Sequence, residues 1–397
     1  MKRSRPRVRY EGDRSVVRWF VFLALCLTLT GCAQGQTDED VGGTDFATCP
    51  PVDVSVGEDP NVTSITSAAV NWLSSLDEGT TQRVRYCLGD PEMHSWTNVP
   101  GKRSGGIELR ELTKEQQQLA WNLVTMFMSE SGTAKARLIA NEITQTARAT
   151  PLGSHTVALF GDPRQDGAWG FQLDGHHLAL NFLVQESDII LAPAFIGTQP
   201  LSVNGQAPLI DEARLGRDLI QVFTEEERNL AKQDALIGRD VIVGSGRGHL
   251  DRGRTYDVSQ FDGVGVRIAS LSNRSANVVN DLIDEYINNL AEPFAGRVRA
   301  TVDESIEEGF VVYDTRNEDI YYRVFVPNRM LIEYNDVSSD HVHTIFRLLG
   351  DESFSDYGAY ATSGSAPRTI AEHYSTSPHH QIALSVSQTK RSTARSN

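Results

Sequence analysis

The chain has 397 residues, with 52 Asp and Glu against 37 Lys and Arg, for a net charge of −15 at pH 7. That acidic balance repels a phosphate backbone and argues against a nucleic-acid partner. Past the N-terminus no segment reaches the roughly 20 consecutive apolar residues of a membrane-spanning helix, and no repeat with a period of roughly 20–50 residues is evident.

Lys2, Arg3, Arg5, Arg7, Arg9, Arg14 and Arg18 form a basic start, followed by an apolar run from Trp19 to Leu29 that is too short to span a bilayer. Leu29-Thr30-Gly31-Cys32 then looks like a bacterial lipobox, in which small residues admit the signal peptidase and the Cys thiol takes diacylglycerol. Residues 1–31 therefore read as a lipoprotein signal peptide and Cys32 as the lipidation site, against the alternative of an ordinary secretory signal with a chance Cys. Removing residues 1–31 takes away seven basic and two acidic side chains, leaving 30 basic and 50 acidic and a net charge of −20. Anionic lipid is then a poor partner too, so membrane attachment is expected from the acyl chains on Cys32. The expected location is the cell envelope, periplasmic or surface-exposed. Ala33, rather than Asp, follows the lipidated Cys and leans towards the outer membrane.

Residues 32–60 are polar and Gly/Pro-punctuated and read as a tether. Cys49 and Cys87 are the pair left for an oxidising compartment. A disulfide between them would close a loop of about 40 residues and contribute about 3–4 kcal/mol in the chain-entropy picture; two separate thiols are the alternative.

Ser67 to Leu76 places Val70, Leu73 and the neighbouring Trp72 at helical spacing. Thr113 and Gln116 form a capping-box pattern ahead of Leu119, Leu123, Val124 and Phe127. Gly132 suits a helix stop, and Thr133 the cap of a second helix through Ile139 and Ile143. From His155 the pattern turns to strands: Thr156–Phe160, Trp169–Leu173, His177–Val184, and Ile189–Leu191 before Pro193. Asp211–Phe223 and Glu225–Lys232 read as helices, the latter with Thr224 and Glu227 as a second capping box. Gly244-Ser245-Gly246-Arg247-Gly248 lacks both the P-loop and the dinucleotide spacing, so it reads as a mobile loop.

Ser272–Leu290 carries one apolar stripe and reads as a helix. Phe310–Tyr313, Tyr321–Phe325 and Met330–Tyr334 return to strand character. Helices, strands, helices and strands in that order predict an α+β fold, a helical N-terminal part packed on a largely antiparallel sheet. The domain is expected over residues 61–374, as one large domain or two close lobes, with 375–397 a disordered tail.

Four of the ten histidines fall in two short segments, Gly175-His176-His177-Leu178 and His341-Val342-His343. On a strand, alternate residues share a face. His176 would then lie with Leu178 and Leu180, and His177 with Ala179 and Asn181. That assigns His177 to an open site and His176 to support. His341 and His343 share a face only if the chain there is extended. In a helix they diverge by about 200°, and Val342, Ile345, Phe346 and Leu349 do fit a helical stripe. Glu333 opposes Ile332 and Tyr334 on its strand, so Glu333 with His177, His341 and His343 would form a carboxylate–imidazole site for one transition metal ion, Fe, Cu or Zn. Arg323, Tyr322 and Asn335 are candidates to hold an anionic or hydroxyl-bearing small molecule, with Glu333, Arg323 and Tyr322 as the candidate catalytic set. Three readings stay open: a metal-dependent hydrolytic or oxidative enzyme, a non-catalytic module for a small polar ligand, and structural histidines with Glu333 paired to Arg323.

The run Trp169–Phe182, continuing to Pro193-Ala194-Phe195-Ile196-Gly197 and Pro200, resembles the domain-of-unknown-function family 3500. Tyr321-Tyr322-Arg323, Leu331–Asn335, His341-Val342-His343-Thr344 and Arg347 resemble it as well, as do Trp96, Asn98, Pro100, Arg103 and Gly106. The resemblance covers roughly Val70 to Tyr360. It implies an exported, often membrane-attached domain with no settled activity, whose His-His and Glu/His-x-His segments belong together. The chain departs from the family pattern at Leu348-Leu349, where an acidic residue commonly follows the arginine, and at Asp356–Tyr360, which lacks a His-Tyr ending; His373-Tyr374 comes later.

Overall fold

The computed structural model describes residues 49, 56–88, 90–94, 96–99, 105–146, 151–165, 167–238, 240–241 and 259–349. The expected signal peptide over residues 1–31, Cys32, most of the expected tether, residues 244–248 and the expected tail over 375–397 lie outside the described residues.

The element order is α1 (Pro60–Ser74), α2 (Glu78–Val84), β1 (Arg85–Tyr86), β2 (Ile107–Glu108), α3 (Lys114–Phe127) and α4 (Glu130–Leu138). A π turn leads to the short α5 (Thr144–Thr146), and then to a meander of β3 (Thr156–Phe160), β4 (Trp169–Gly175), β5 (Leu178–Gln185) and β6 (Asp188–Thr198). The second half has α6 (Ile210–Val222), α7 (Glu225–Ala231), β7 (Val266–Arg267), α8 (Asn273–Ile287) and α9 (Phe294–Asp303). Its own meander is β8 (Phe310–Arg316), β9 (Asp319–Val326), β10 (Met330–Ser338) and β11 (His341–Leu348). All strands join one sheet in the order β1-β3-β4-β5-β6-β11-β10-β9-β8-β7, with β2 on β3. The pairing is antiparallel except at β1–β3. The α+β expectation holds, and the open choice between one domain and two lobes resolves to one.

The two halves repeat one plan. β2 and β7 each pair two residues with the first meander strand, Ile107 with Val157 and Val266 with Val311. Each leads through a 3₁₀ turn to a capped helix, at Thr113 and at Ser272. Gly106 (φ 80°) and Gly265 (φ 108°) open the two copies in the left-handed region, where a side chain would meet the carbonyl of Val157 or Val311. Arg85 pairs in parallel with Leu159, and Lys232 with Tyr313. The stacked core rings repeat too: Phe171 and Phe182 in the first half correspond to Tyr322 and Tyr334 in the second. The last strands, β6 and β11, meet antiparallel, with Ala194 opposite Phe346, two residues that correspond under the repeat.

Helices cover one face of the sheet. Alternation sends Leu173, Leu180, Ile196, Phe346, Ile332, Val324 and Val311 into a core shared with α1, α3, α6, α8 and α9. The other face carries Gln172, Asp174, Asn181, His343, Glu333, Asn335 and Arg323, all buried. Among these, cross-strand register sets one row of Gly197, His343, Asn335, Tyr321 and Asp314.

Three local expectations are corrected. Ser129, not Thr133, caps α4, accepting from the Gly132 N–H at 3.1 Å, and Gly132 lies inside the first turn because Asn289 leaves no room for a Cβ. The strand at Ile189 runs through Pro193 to Thr198: the register shifts between Leu180 and Phe182, and a bulge tolerates a residue without an N–H. The helical stripe after His341 is not a helix, since His341–Leu348 pairs on both sides, with β10 and β6. Helix α9 was not anticipated; it carries only Phe294, Ala295, Val298 and Val302 inward.

The Cys49–Cys87 disulfide is present, with a sequence separation of 38. Replacing both cysteines by Ser is expected to lower the unfolding free energy by about 3–4 kcal/mol, read from urea denaturation. An unchanged midpoint and slope would show that the cross-link contributes nothing.

Candidate metal centre

The β4–β5 hairpin closes with Gly175 opposite Leu178, so His176 and His177 form its two-residue turn rather than part of a strand. His177 takes φ 64°, a left-handed conformation that costs a non-glycine residue about 1–3 kcal/mol. Its N–H donates to the Asn98 carbonyl at 3.1 Å, and its carbonyl accepts from the Gly197 N–H at 2.7 Å. These two backbone bonds hold the strained turn and aim the imidazole inwards.

His341 and His343 start β11 and share a face, as extended chain requires. The Nε2 atom of His341 stands 2.9 Å from that of His177 and 2.9 Å from that of His343. All three ligand atoms lie within 4.8 Å of one another. Gly197 makes the approach possible, because a Cβ there would meet the Cδ2 atoms of His343 at 2.9 Å and His177 at 3.2 Å. The Phe195 ring closes the wall edge-on to His343, centroids 4.9 Å apart.

The hydrogen-bonding capacity of these rings is smaller than their contacts demand. An imidazole nitrogen carries either one proton or one lone pair. The Asp240 carboxylate, 2.7 Å from His343 Nδ1, fixes the proton there and turns the His343 Nε2 lone pair towards the cluster. His341 Nε2 faces two neighbours with at most one proton to share. A cation accepted by all three lone pairs removes the conflict. A tetrahedral ion with bonds of about 2.0–2.1 Å sets its ligand nitrogens roughly 3.3 Å apart, a separation that the observed 2.9 Å contacts and 4.8 Å limit bracket.

His177 and His341 are held neutral, as metal ligands must be. Burial, then the imidazoles of His176, His343 and His341, pushes His177 far below the ordinary imidazole range. Burial and then His343 push His341 down to about 4, against the pull of Asp240 and Asp340. The described residues thus contain a buried three-histidine group with the means to hold a metal ion.

The remaining expected site residues are placed differently. Glu333 is not a member of the ligand group: it lies two residues along β10 from the His343 row and accepts from the Tyr321 hydroxyl at 2.6 Å. The carboxylate at the cluster is Asp240, behind His343, so one expected ligand becomes a supporting contact from another segment. Arg323 is the register partner of Glu333, stacks on Phe261 at 3.7 Å and donates to Tyr321 at 3.4 Å. Tyr322 is on the opposite face. Its hydroxyl meets that of Tyr286 at 2.9 Å and donates to the Glu212 carbonyl at 3.2 Å, and its ring fills the space left by Gly216. Alternation decides this, since a residue between Tyr321 and Arg323 cannot share their face. Asn335 lies beside His343 in register but spends its amide on the main chain at Leu236 and Gly238. His176 stacks on His177, centroids 4.0 Å apart, and burial lowers its pKa. Asp240 carried no sequence signal, because it stands alone in a Gly-punctuated stretch about 100 residues from its partner.

His155, beneath this hairpin, was not singled out as a site residue. Burial pushes it down to about 4, opposed by a hydrogen bond to the His176 backbone. Because its folded pKa lies below the ordinary imidazole value of 6.5, its contribution to stability is complete above that pH and is lost as pH falls towards about 4. In metal-free protein, the fall in unfolding free energy from pH 7 to pH 4 should be about 3 kcal/mol larger in wild type than in His155→Gln. Parallel stability–pH curves would refute this assignment.

No curated protein and no solved structure matches this chain. A family model described as "Protein of unknown function (DUF3500)" matches residues 58–359, which include every residue of the three-histidine group. The chain belongs to the DUF3500 family.

Proposed function

We propose that this protein is a metal-dependent enzyme of the cell envelope, anchored by lipid on Cys32, with His177, His341 and His343 as the ligands of one transition metal ion. The convergence of one ring nitrogen from each of three histidines within 4.8 Å carries the reading. The internal repeat supports it, because the equivalent positions in the other half lack the chemistry. Arg329 stands for His177, its carbonyl accepting from the Leu349 N–H as that of His177 accepts from the Gly197 N–H. Ile190 stands for His343 and Leu349 for the permissive Gly197.

Of the three expected metals, Zn²⁺ suits the set best: three imidazoles from one wall leave a fourth position for water, and a carboxylate orients one ligand from behind. Held by His177, His341 and His343, Zn²⁺ would supply Lewis-acid activation of water for hydrolysis of a small-molecule substrate. Fe or Cu at the same ligands would carry oxidation instead. The Cys49–Cys87 disulfide favours an oxidising compartment, in keeping with export. The acidic surface favours a small molecule over nucleic acid.

Protein purified without an affinity tag is expected to carry one metal ion per chain, and the His341→Ala/His343→Ala double variant none. Equal metal content in the two, by elemental analysis, would defeat the proposal.

A second reading, capture of a small polar ligand without turnover, draws on a cleft of about 340 Å³ on the other side of the same hairpin. Thr97, Thr156, Asp174, Gly175, Arg83 and Arg110 line it. Under this reading polar ligands raise the melting temperature equally with and without chelator. Stabilisation that disappears with chelator assigns the ligand to the metal centre.

A further inference from the structure

We infer that Asp314 and Asn335 are positioning residues of the metal centre, acting through residues 232–238 to hold Asp240 against His343. The inference rests on the metal reading above. After α7 the chain leaves Ala231 and crosses the polar face of the sheet rather than returning to the helical side. Gln233 N–H donates to the Tyr313 carbonyl at 2.9 Å. The buried Asp314 carboxylate then accepts from the Leu236 N–H at 2.9 Å and the Ile237 N–H at 3.3 Å, both on Oδ2. Asn335 uses both ends of its amide on the same segment, donating to the Leu236 carbonyl at 3.1 Å and accepting from the Gly238 N–H at 3.4 Å.

These anchors lie in the sheet row that contains His343. Asn335 is the direct cross-strand partner of His343, and Tyr321 and then Asp314 continue the row. The segment is therefore registered to β11 through side chains on rigid strands. Ile237 packs on Val312 and Tyr321, and Val241 enters a cluster with Trp96, Phe195 and Ile345. Between those packed points Asp240 reaches His343 Nδ1 at 2.7 Å, and its Oδ1 also accepts the Val241 N–H at 2.9 Å. The carboxylate fixes the tautomer that presents the Nε2 lone pair. Loss of such a partner typically weakens a metal site by about 10–100-fold.

The full-length protein is titrated with Zn²⁺ against a competing chelator, and with Co²⁺ for its visible absorption band. Asp240→Ala should weaken Zn²⁺ binding about 10–100-fold and shift the Co²⁺ band. Asp240→Asn, whose side-chain carbonyl still accepts from Nδ1, should recover most of the affinity. Asn335→Ala and Asp314→Asn should each weaken binding by part of that factor. Neither should weaken it further when Asp240 is already Ala, because they act through it. Asp314→Asn keeps the volume of the side chain and serves where Asn335→Ala fails to fold, as judged by circular dichroism of the metal-free protein. Wild-type affinity in Asn335→Ala and Asp314→Asn, or an equal loss with and without Asp240, overturns the inference and leaves the metal centre standing. No Zn²⁺ or Co²⁺ bound by the wild type overturns the metal reading and this inference with it.

Discussion

The antiparallel seam between β6 and β11 is the pairing on which the rest of the architecture depends. Each half of the chain ends its meander on a strand that would otherwise expose a long apolar edge, a ready template for aggregation. Pairing these two edges with Ala194 opposite Phe346 satisfies both and makes a single sheet. The same pairing decides where chemistry arises. It sets the end of β6, with Gly197, beside the start of β11, with His343, and the β4–β5 turn is bonded to Gly197. Three imidazoles from segments over 160 residues apart in sequence meet because two strand edges had to be covered.

The two halves solve one packing problem with different chemistry. In the first, Phe127, Phe171 and Phe182 stack as an apolar group. In the second, Tyr286, Tyr322 and Tyr334 stand at the matching places, and each buried hydroxyl needs a partner. Tyr286 and Tyr322 bond to each other, Tyr322 reaches the Glu212 backbone, and Tyr334 donates to Asp336 at 3.3 Å. Lys135 from the first half pairs with Glu212 and, at 3.1 Å, with Glu285 of the second. Breaking such a buried pair from one side strands a charge, so it fixes the mutual position of the helices more than it adds stability. The halves are thus joined twice, by strand pairing in the sheet and by this ion pair in the helical layer.

Local signals in the sequence were read correctly where one residue's chemistry decides the outcome. Thr113 with Gln116 and Thr224 with Glu227 are capping boxes because a short hydroxyl and a long side chain satisfy each other's backbone N–H whatever surrounds them. The disulfide is legible from the cysteines, whereas the shared face of His341 and His343 is conditional on an extended chain, which the pairing of β11 on both sides supplies. Alternation puts Tyr322 on the face opposite Tyr321 and Arg323 and so excludes it from any site holding those two. Register was not legible. Glu333 and Asn335 are two residues apart on one face of the same strand, and only pairing with β11 shows which one stands beside His343. The repeat is hard to see in the sequence because its span of about 150 residues far exceeds the period of a solenoid. Its clearest trace is one short pattern, Gly106-Ile107-Glu108-Leu109 through Leu112-Thr113, echoed by Gly265-Val266-Arg267-Ile268 through Leu271-Ser272.

The centre's precision comes from the sheet, although two of its contacts sit on loops. Asp174, buried in β4, accepts the Thr97 N–H at 2.7 Å and so fixes the segment whose Asn98 carbonyl binds the His177 N–H. Asp314, buried in β8, does the same for the segment that carries Asp240. The two segments close over the sheet where Trp96 and Val241 pack with Phe195 and Ile345. A carboxylate that accepts backbone N–H groups is more demanding than an apolar contact, because its charge is buried and must find those donors in one geometry. Each aspartate therefore leaves its loop little freedom. Three imidazole nitrogens facing one another have no favourable arrangement of their own, so a looser scaffold would let the rings turn apart. Held from both sides, they keep the arrangement that suits a cation, and the strain at His177 is sustained by the same backbone bonds that aim its ring.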